Sequence, residues 1–242
     1  MRFAADPPGT HGVLTQLFRV PEDFIHRIPE CLSLQEAVLV KPLSVAVHGV
    51  RMAKLAPGQA VLVQGSGTVG LLCAAVASAF GAKTVCVADI NETKLDFARS
   101  FVNCMTFLSD PTVSPADDAA RFKKENRMPN GVDVVLECTG VQSSAQTGLH
   151  ASAAGSTFVQ IGMGRPEQTL PLGTMMEKEV TLKTSFRYGP GDYDIAIELL
   201  SAGKVQVGTM ISSVVPFEHA TEAWEKTKRG TGIKNLIQGV QD

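Results

Sequence analysis

Three glycines at Gly-x-Gly-x-x-Gly spacing, Gly65, Gly67 and Gly70, directly follow the apolar run Ala60-Val61-Leu62-Val63-Gln64. In that setting each glycine does something different. One allows a tight turn, one lets the backbone approach a pyrophosphate closely, and one lets the helix pack close on the strand. Nearly every residue from Val69 to Phe80 is small or apolar, which predicts a helix on a sheet. Its free N–H groups and positive dipole end would face the phosphates. A second run, Lys83 to Ala88, ends at Asp89, nineteen residues beyond Gly70. A carboxylate there accepts from both hydroxyls of an adenosine ribose and repels a 2′-phosphate, so the spacing favours NAD over NADP. The plainer role for Asp89 is to cap the helix that starts near Asn91.

Other groups able to do chemistry are dispersed. His11, His26, His48, His150 and His219 are scattered, and none pairs with a cysteine at metal-ligand spacing. There is no Tyr-x-x-x-Lys pair and no recognisable His–Asp arrangement, so no catalytic or metal-binding residue is assigned. Cys31, Cys73, Cys86, Cys104 and Cys138 are odd in number and without framework spacing. Cys73 and Cys86 fall in expected core elements as small buried hydrophobes, which suits a reducing, cytoplasmic setting. A formal net charge of −2 gives no electrostatic case for nucleic acid or an anionic membrane, and no apolar run reaches spanning length.

The elements that must position these residues alternate along the chain. Expected helices cover Asn91–Phe101, Ala116–Glu125 and Ser143–Ser152, with a loop at Pro111–Pro115. Expected buried strands are Val132–Glu137, Ser156–Ile161 and Glu179–Thr184. Strands alternating with helices imply an α/β fold with a parallel, doubly wound Rossmann sheet. Before it, Ser33 would cap a short helix through Val38, Pro42 would interrupt it, and a second helix would run from about Leu43 to Lys54. Earlier still, Val13–Val20 and Phe24–Ile28 alternate like short strands. After it come a helix at Tyr193–Ala202, a strand at Met210–Val215, a helix at Glu218–Lys228 and a closing strand at Ile233–Val240. The chain therefore reads as three parts: 1–41 and 187–242 from one neighbouring β-rich domain, and 42–186 as the nucleotide-binding domain.

Several phrases carry a more specific likeness: MRFAADPP, KPLSVAVHGVR, VLVQGSGTVGLL, ADINETKLDFARSFV, VVLECTG, FVQIGMG, TSFRYGPGDYDIAIELLSAGKV and GIKNLIQGV. Through them the chain resembles the zinc-dependent medium-chain alcohol and polyol dehydrogenases, within that family most like the sorbitol and fungal xylitol (D-xylulose reductase) branch. The resemblance implies NAD-dependent interconversion of a polyol with its ketose, a chaperonin-10-like catalytic domain beside the Rossmann domain, and a homo-oligomer. It implies NAD contacts at Val69, Asp89 and Lys94, at Ile161, Gly162 and Met163 beside the nicotinamide ribose, and at Ser185, Phe186 and Arg187 by the carboxamide. Arg187 and Tyr188 match the pair that reaches polyol hydroxyls. Lys41 stands where the family usually has a glutamate near substrate and metal, a reversal of charge. The family's zinc is held by a Cys and a His-Glu pair from a portion upstream of this chain's start. Zinc is thus expected for the family but has no ligand set here; Glu218-His219 is in the reverse order. The expectation is a polyol dehydrogenase lacking its front part. The alternatives are a non-catalytic NAD-binding or subunit-assembly protein, and a zinc-independent quinone-reductase-like oxidoreductase, against which Phe186-Arg187-Tyr188 speaks.

Overall fold

The computed structural model describes Gly9 and residues 12–240 of the 242-residue chain. The opening phrase MRFAADPP and His11 lie outside the described residues. Two compact units separate: Val38–Gln206, and a second made of Met1–Ala37 with Val207–Asp242.

In the larger unit six strands form one parallel sheet: β1 (Ala60–Gln64), β2 (Thr84–Asp89), β3 (Met105–Leu108), β4 (Val132–Glu137), β5 (Ser152–Gln160) and β6 (Thr181–Thr184). Their order is β3-β2-β1-β4-β5-β6, the doubly wound arrangement, with its reversal between β1 and β4. β1, β2 and β4 have apolar, buried centres (Val61–Val63, Val85–Ala88 and Val134–Leu136) because helices cover both faces. A one-turn helix, α1 (Leu34–Ala37), belongs to the smaller unit. In the larger unit α2 (Val40–Ala53) packs on α3 (Thr68–Ala79), α4 (Glu92–Phe101) packs on β2 and β3, and α5 (Pro115–Glu125) packs on α6 (Gln142–Ala151). The apolar core under α5 and α6 gathers Leu62, Phe107, Phe122, Leu149 and Phe158. Phe107 and Phe122 meet edge-on with ring centroids 5.4 Å apart. A short helix, α7 (Leu172–Glu177), precedes β6, and α8 (Asp192–Ser201) returns to pack on α2.

Strand register decides where side chains can meet. Gln64 lies opposite Ala88 on one side and Glu137 on the other. Glu137 lies opposite Gln160, and Gln160 opposite Thr184. The carboxyl ends of five strands are therefore level, and the loops that leave them share one edge.

Several expectations need correction. Pro42 does not interrupt a helix; it is the third residue of α2, within the first turn, where its missing N–H leaves no intrahelical bond unmade. Ser33 does cap, in a reciprocal box with Glu36: its hydroxyl accepts from the Glu36 N–H at 3.2 Å and its own N–H donates to that carboxylate at 3.0 Å. The edge strand β3 and the helix α7 are not among the elements expected from the sequence. Residues 13–20 and 25–28 form no strand; Glu22–Phe24 is a 3₁₀ turn, and Leu17, Phe18 and Phe24 are exposed. A strand needs a ladder partner, and none is described beside them. The compact units divide at 37/38 and 206/207, and α8 packs on α2 within the larger one.

In the smaller unit β7 (Ile211–Val215) and β8 (Lys234–Ile237) pair in parallel, joined through α9 (Ala220–Lys228), which packs on both.

Candidate functional site

The glycine loop is shaped by contacts that admit no side chain. Gly65, at φ +93°, donates its N–H to the Ala88 carbonyl at 2.7 Å, tying β1 to β2. A Cβ on Gly70 would stand 1.8 Å from the Gly65 carbonyl oxygen, so α3 starts hard against the turn. A Cβ on Gly67 would meet nothing within 4 Å. Gly67 is the N-cap of α3 and supplies no side chain to the helix N-terminus, which opens towards that free space.

Asp89 ends β2 and leans on this loop. One carboxylate oxygen accepts from the Ser66 N–H and the Ser66 hydroxyl, both at 2.8 Å; the other accepts from the Asn91 N–H at 3.0 Å. The cap of α4 is Asn91, whose side chain accepts from the Lys94 N–H at 3.2 Å. Asp89 is thereby fixed as an acceptor beside the glycine turn rather than used as the cap. A cavity of about 310 Å³ opens next to it, lined among others by Gln64, Asp89, Lys94, Pro111, Val141 and Ser144. One wall is held by the buried Asp118, which accepts from the Ser109 hydroxyl, from the Asp110 N–H at 3.1 Å and from Arg121 at 2.8 Å.

Beyond the switch point the loops after β4 and β5 touch backbone to backbone. A Cβ on Gly162 would lie 2.2 Å from the Gly140 nitrogen, and one on Gly140 2.4 Å from the Met163 carbonyl oxygen. Ile161 is buried, while Met163 is 70% exposed. After β6, the Ser185 N–H donates to the Gln160 carbonyl at 2.8 Å, and its buried hydroxyl has no hydrogen-bond partner. Arg187 adopts φ +59°, and its guanidinium lies 5.3 Å from the Phe186 ring centroid. Tyr188 meets Tyr193 edge-on at 4.8 Å. Burial, and then the hydrogen bond with Tyr188, push the Tyr193 phenol upward in pKa; Tyr193 also meets the Ser44 hydroxyl. Ser44 in turn donates to the carbonyl of Lys41, an exposed residue in the first turn of α2, at 2.7 Å.

Besides Asp118, sequence reasoning missed two fully buried carboxylates. Asp192, fully buried, accepts from His48 Nδ1 at 2.8 Å, Arg51 at 2.6 Å and the Gly189 N–H at 2.6 Å. A His–Asp pair therefore exists, contrary to expectation, but its members are 144 positions apart and no local spacing announces it. Glu137, also fully buried, sits between the loops after β4 and β5; its place directly after the apolar Val134–Leu136 is the signal that could have marked it.

The arrangement fits a dinucleotide. Free space lies over Gly67, an anchored carboxylate stands beside it at Asp89, a cavity opens next to that, and the unpartnered Ser185 hydroxyl lies at the other end of the same edge. Among the described residues no three His, Cys, Asp or Glu side chains gather as a metal-binding group. His219 pairs with Glu222 at 2.7 Å, on the exposed surface of the smaller unit. No helix among the described residues is long and apolar enough to cross a membrane.

Comparison with known proteins agrees with this architecture. Residues 68–202 match the family described as zinc-binding dehydrogenase. Over 242 residues the chain is 47% identical to a probable D-xylulose reductase A of Aspergillus fumigatus, covering 100% of this chain and 67% of that protein. It is likewise 47% identical over 241 residues to the D-xylulose reductase A of Aspergillus niger, covering 99% of this chain and 66% of that one. The chain thus spans about two thirds of the length of the curated relatives it matches. The solved galactitol-1-phosphate dehydrogenase of Escherichia coli shares the fold, with a TM-score of 0.82 at 23% identity over 91% of this chain and 65% of that one. A family match across more than half of the chain, on a parallel sheet with a glycine turn after β1 and an acid ending β2, shows that this chain belongs to the zinc-binding dehydrogenases.

Proposed function

We propose that the chain binds NAD(H) along the carboxyl edge of its sheet and serves an oxidoreductase that interconverts a polyol and its ketose. D-xylulose is the ketose in the relatives' names, and xylitol is its two-electron reduction product. The observation that carries the reading is the anchored acid: Asp89 is fixed by Ser66 and Asn91 beside the glycine turn. So held, it accepts from ribose hydroxyls and repels a 2′-phosphate. When bound, the coenzyme supplies hydride chemistry. The chain's own residues bind and orient it. Val69, Gly67 and the α3 N-terminus meet the pyrophosphate, and Lys94 flanks the adenosine. Ile161, Gly162 and Met163 line the nicotinamide ribose, and the backbone of Ser185, Phe186 and Arg187 meets the carboxamide. Arg187 and Tyr188 offer fork-shaped and phenolic donors to a substrate rich in hydroxyls, with Lys41 nearby through the Ser44–Tyr193 contacts.

The zinc that the family's description implies has no ligand group among the described residues, so those residues do not by themselves fit the ion. The proposed role stands on the coenzyme side. As part of the same proposal, 42–186 is the coenzyme domain, 1–41 and 187–242 belong to a neighbouring catalytic domain, and the protein works as a cytoplasmic homo-oligomer. Limited proteolysis, sedimentation and cell fractionation test these points.

Titration of the chain with NADH and NADPH, followed by nicotinamide fluorescence, tests the central claim. The chain should prefer NADH. Asp89→Ser should weaken NADH by roughly tenfold, about 1.4 kcal/mol, and narrow that preference; an unchanged preference overturns the ribose assignment. Xylitol oxidation assayed with added zinc separates the two larger readings. Turnover supports a polyol dehydrogenase. NADH binding without turnover supports a non-catalytic coenzyme-binding protein.

A further inference from the structure

Glu137 ends β4 and has no solvent exposure. One carboxylate oxygen accepts from the Thr139 N–H at 2.9 Å, from the Thr139 hydroxyl and from the Ser144 hydroxyl at 3.2 Å. The other accepts from the Gly140 N–H at 2.9 Å and from the Gln160 amide at 2.6 Å. All of these donors are neutral groups. Those of Thr139 and Gly140 lie in the loop after β4, that of Ser144 in the first turn of α6, and that of Gln160 at the end of β5. The Gln160 amide also donates to the Gly162 carbonyl at 2.8 Å, while the Ile161 and Gly162 N–H groups donate to the Glu137 carbonyl at 2.9 and 2.8 Å. Side chain and main chain of one residue thus fasten both loops. The loops are also in glycine-tight contact: a Cβ on Gly164 would be 1.8 Å from the Gly140 carbonyl oxygen. Moving the Thr139–Gly140 turn must therefore move the 161–164 segment.

We propose that Glu137 is a positioning residue for the nicotinamide half of the coenzyme, acting through Ile161–Met163. The proposal rests on the reading that this segment lines the nicotinamide ribose. The adenine half depends on other anchors, the Gly65–Gly70 loop and Asp89, which is held by Ser66 and Asn91 and not by the Glu137 side chain. Both carboxylate oxygens face N–H donors, so both must accept. In Glu137→Gln either amide orientation sets an NH₂ against an N–H, so one loop must pull away.

The test compares NADH with AMP on the full chain, by fluorescence and calorimetry. Glu137→Gln should raise the Kd for NADH by roughly tenfold, the equivalent of about 1.4 kcal/mol, and leave AMP within about twofold. Gln160→Met removes the amide's bonds to the Glu137 carboxylate and the Gly162 carbonyl and leaves the bonds to Thr139, Gly140 and Ser144 in place; it should shift NADH the same way by a smaller factor, and it carries the test if Glu137→Gln does not fold. Unchanged NADH affinity overturns the proposal. So does an equal loss for NADH and AMP, because a purely structural role would weaken both. If the unmutated chain binds NADH no more tightly than AMP, the underlying reading of Ile161–Met163 fails first, visibly in the absence of any substitution.

Discussion

Replacing Gly70 by alanine should harm the fold, and replacing Gly67 should harm only the ligand. At Gly70 the new methyl would meet the Gly65 carbonyl oxygen at 1.8 Å and its carbon at 2.9 Å. Both obstacles are backbone, so no rotamer change relieves them; α3 must lift or the turn must open. Overpacking usually costs about 1–3 kcal/mol, and a backbone-to-backbone clash belongs at the upper end. For a domain of this size about 3 kcal/mol lowers Tm by roughly 6–12 °C. At Gly67 the methyl enters open space, and φ −78° with ψ −177° is extended backbone that alanine adopts freely. Gly67→Ala should therefore melt at or slightly above the parent, since glycine's unfolded chain has more freedom to lose. Yet that methyl occupies the ground proposed for the pyrophosphate, so NADH affinity should fall by at least about tenfold. Calorimetric melts with and without NADH read both effects at once. Gly70→Ala melting within about 2 °C of the parent would refute the packing argument. Gly67→Ala retaining full NADH affinity would refute the placement of the phosphates.

Buried groups elsewhere give three more expected outcomes. Asp192→Asn loses charge-assisted bonds to His48 and Arg51, both partly exposed, and should cost about 2–3 kcal/mol; hydrogen exchange at Gly189 should quicken, and unchanged protection there would contradict the clasp. Burial, helped by the Lys178 and Lys123 ammoniums, holds His150 below the usual histidine pKa. The folded chain thus resists protonation more than the unfolded one, so this stability is whole above about pH 6.5 and is lost as pH falls through the lower folded value. His150→Gln should flatten the decline of Tm in that acid window, and an identical decline would count against it. Cys31 is exposed, whereas Cys73 and Cys86 are buried and burial pushes Cys86 far up in pKa. An aromatic disulfide reagent should modify Cys31 first and reach Cys73 and Cys86 only on unfolding; fast reaction of either in the native chain would refute their burial.

Much of the fold was legible because its signals are local. An apolar centre predicts a strand covered on both faces, and β4, with Val134–Leu136 at its centre, matches its expected bounds, Val132–Glu137. The glycine spacing located the β1–α3 turn, and Asn91 marked the start of α4. What failed also has a local cause. The edge strand β3 is short and half-exposed, so it lacks the apolar run of the central strands. Residues 13–20 have the alternation of a strand, but alternation cannot supply a partner. Pro42 looked like a breaker because sequence alone does not say which turn of a helix a proline occupies.

Composition and spacing by themselves determined the class of the sheet, the glycine turn after β1 and the acid that ends β2, since each depends on residues within one βαβ unit. The tertiary structure alone decided that Asp192 clasps His48 and Arg51, that Glu137 fastens two loops, and that five strand ends stand level so that distant segments share one edge. Those features arise from parallel register and from hydrogen bonds between remote segments, whose partners carry no mark of one another in the chain.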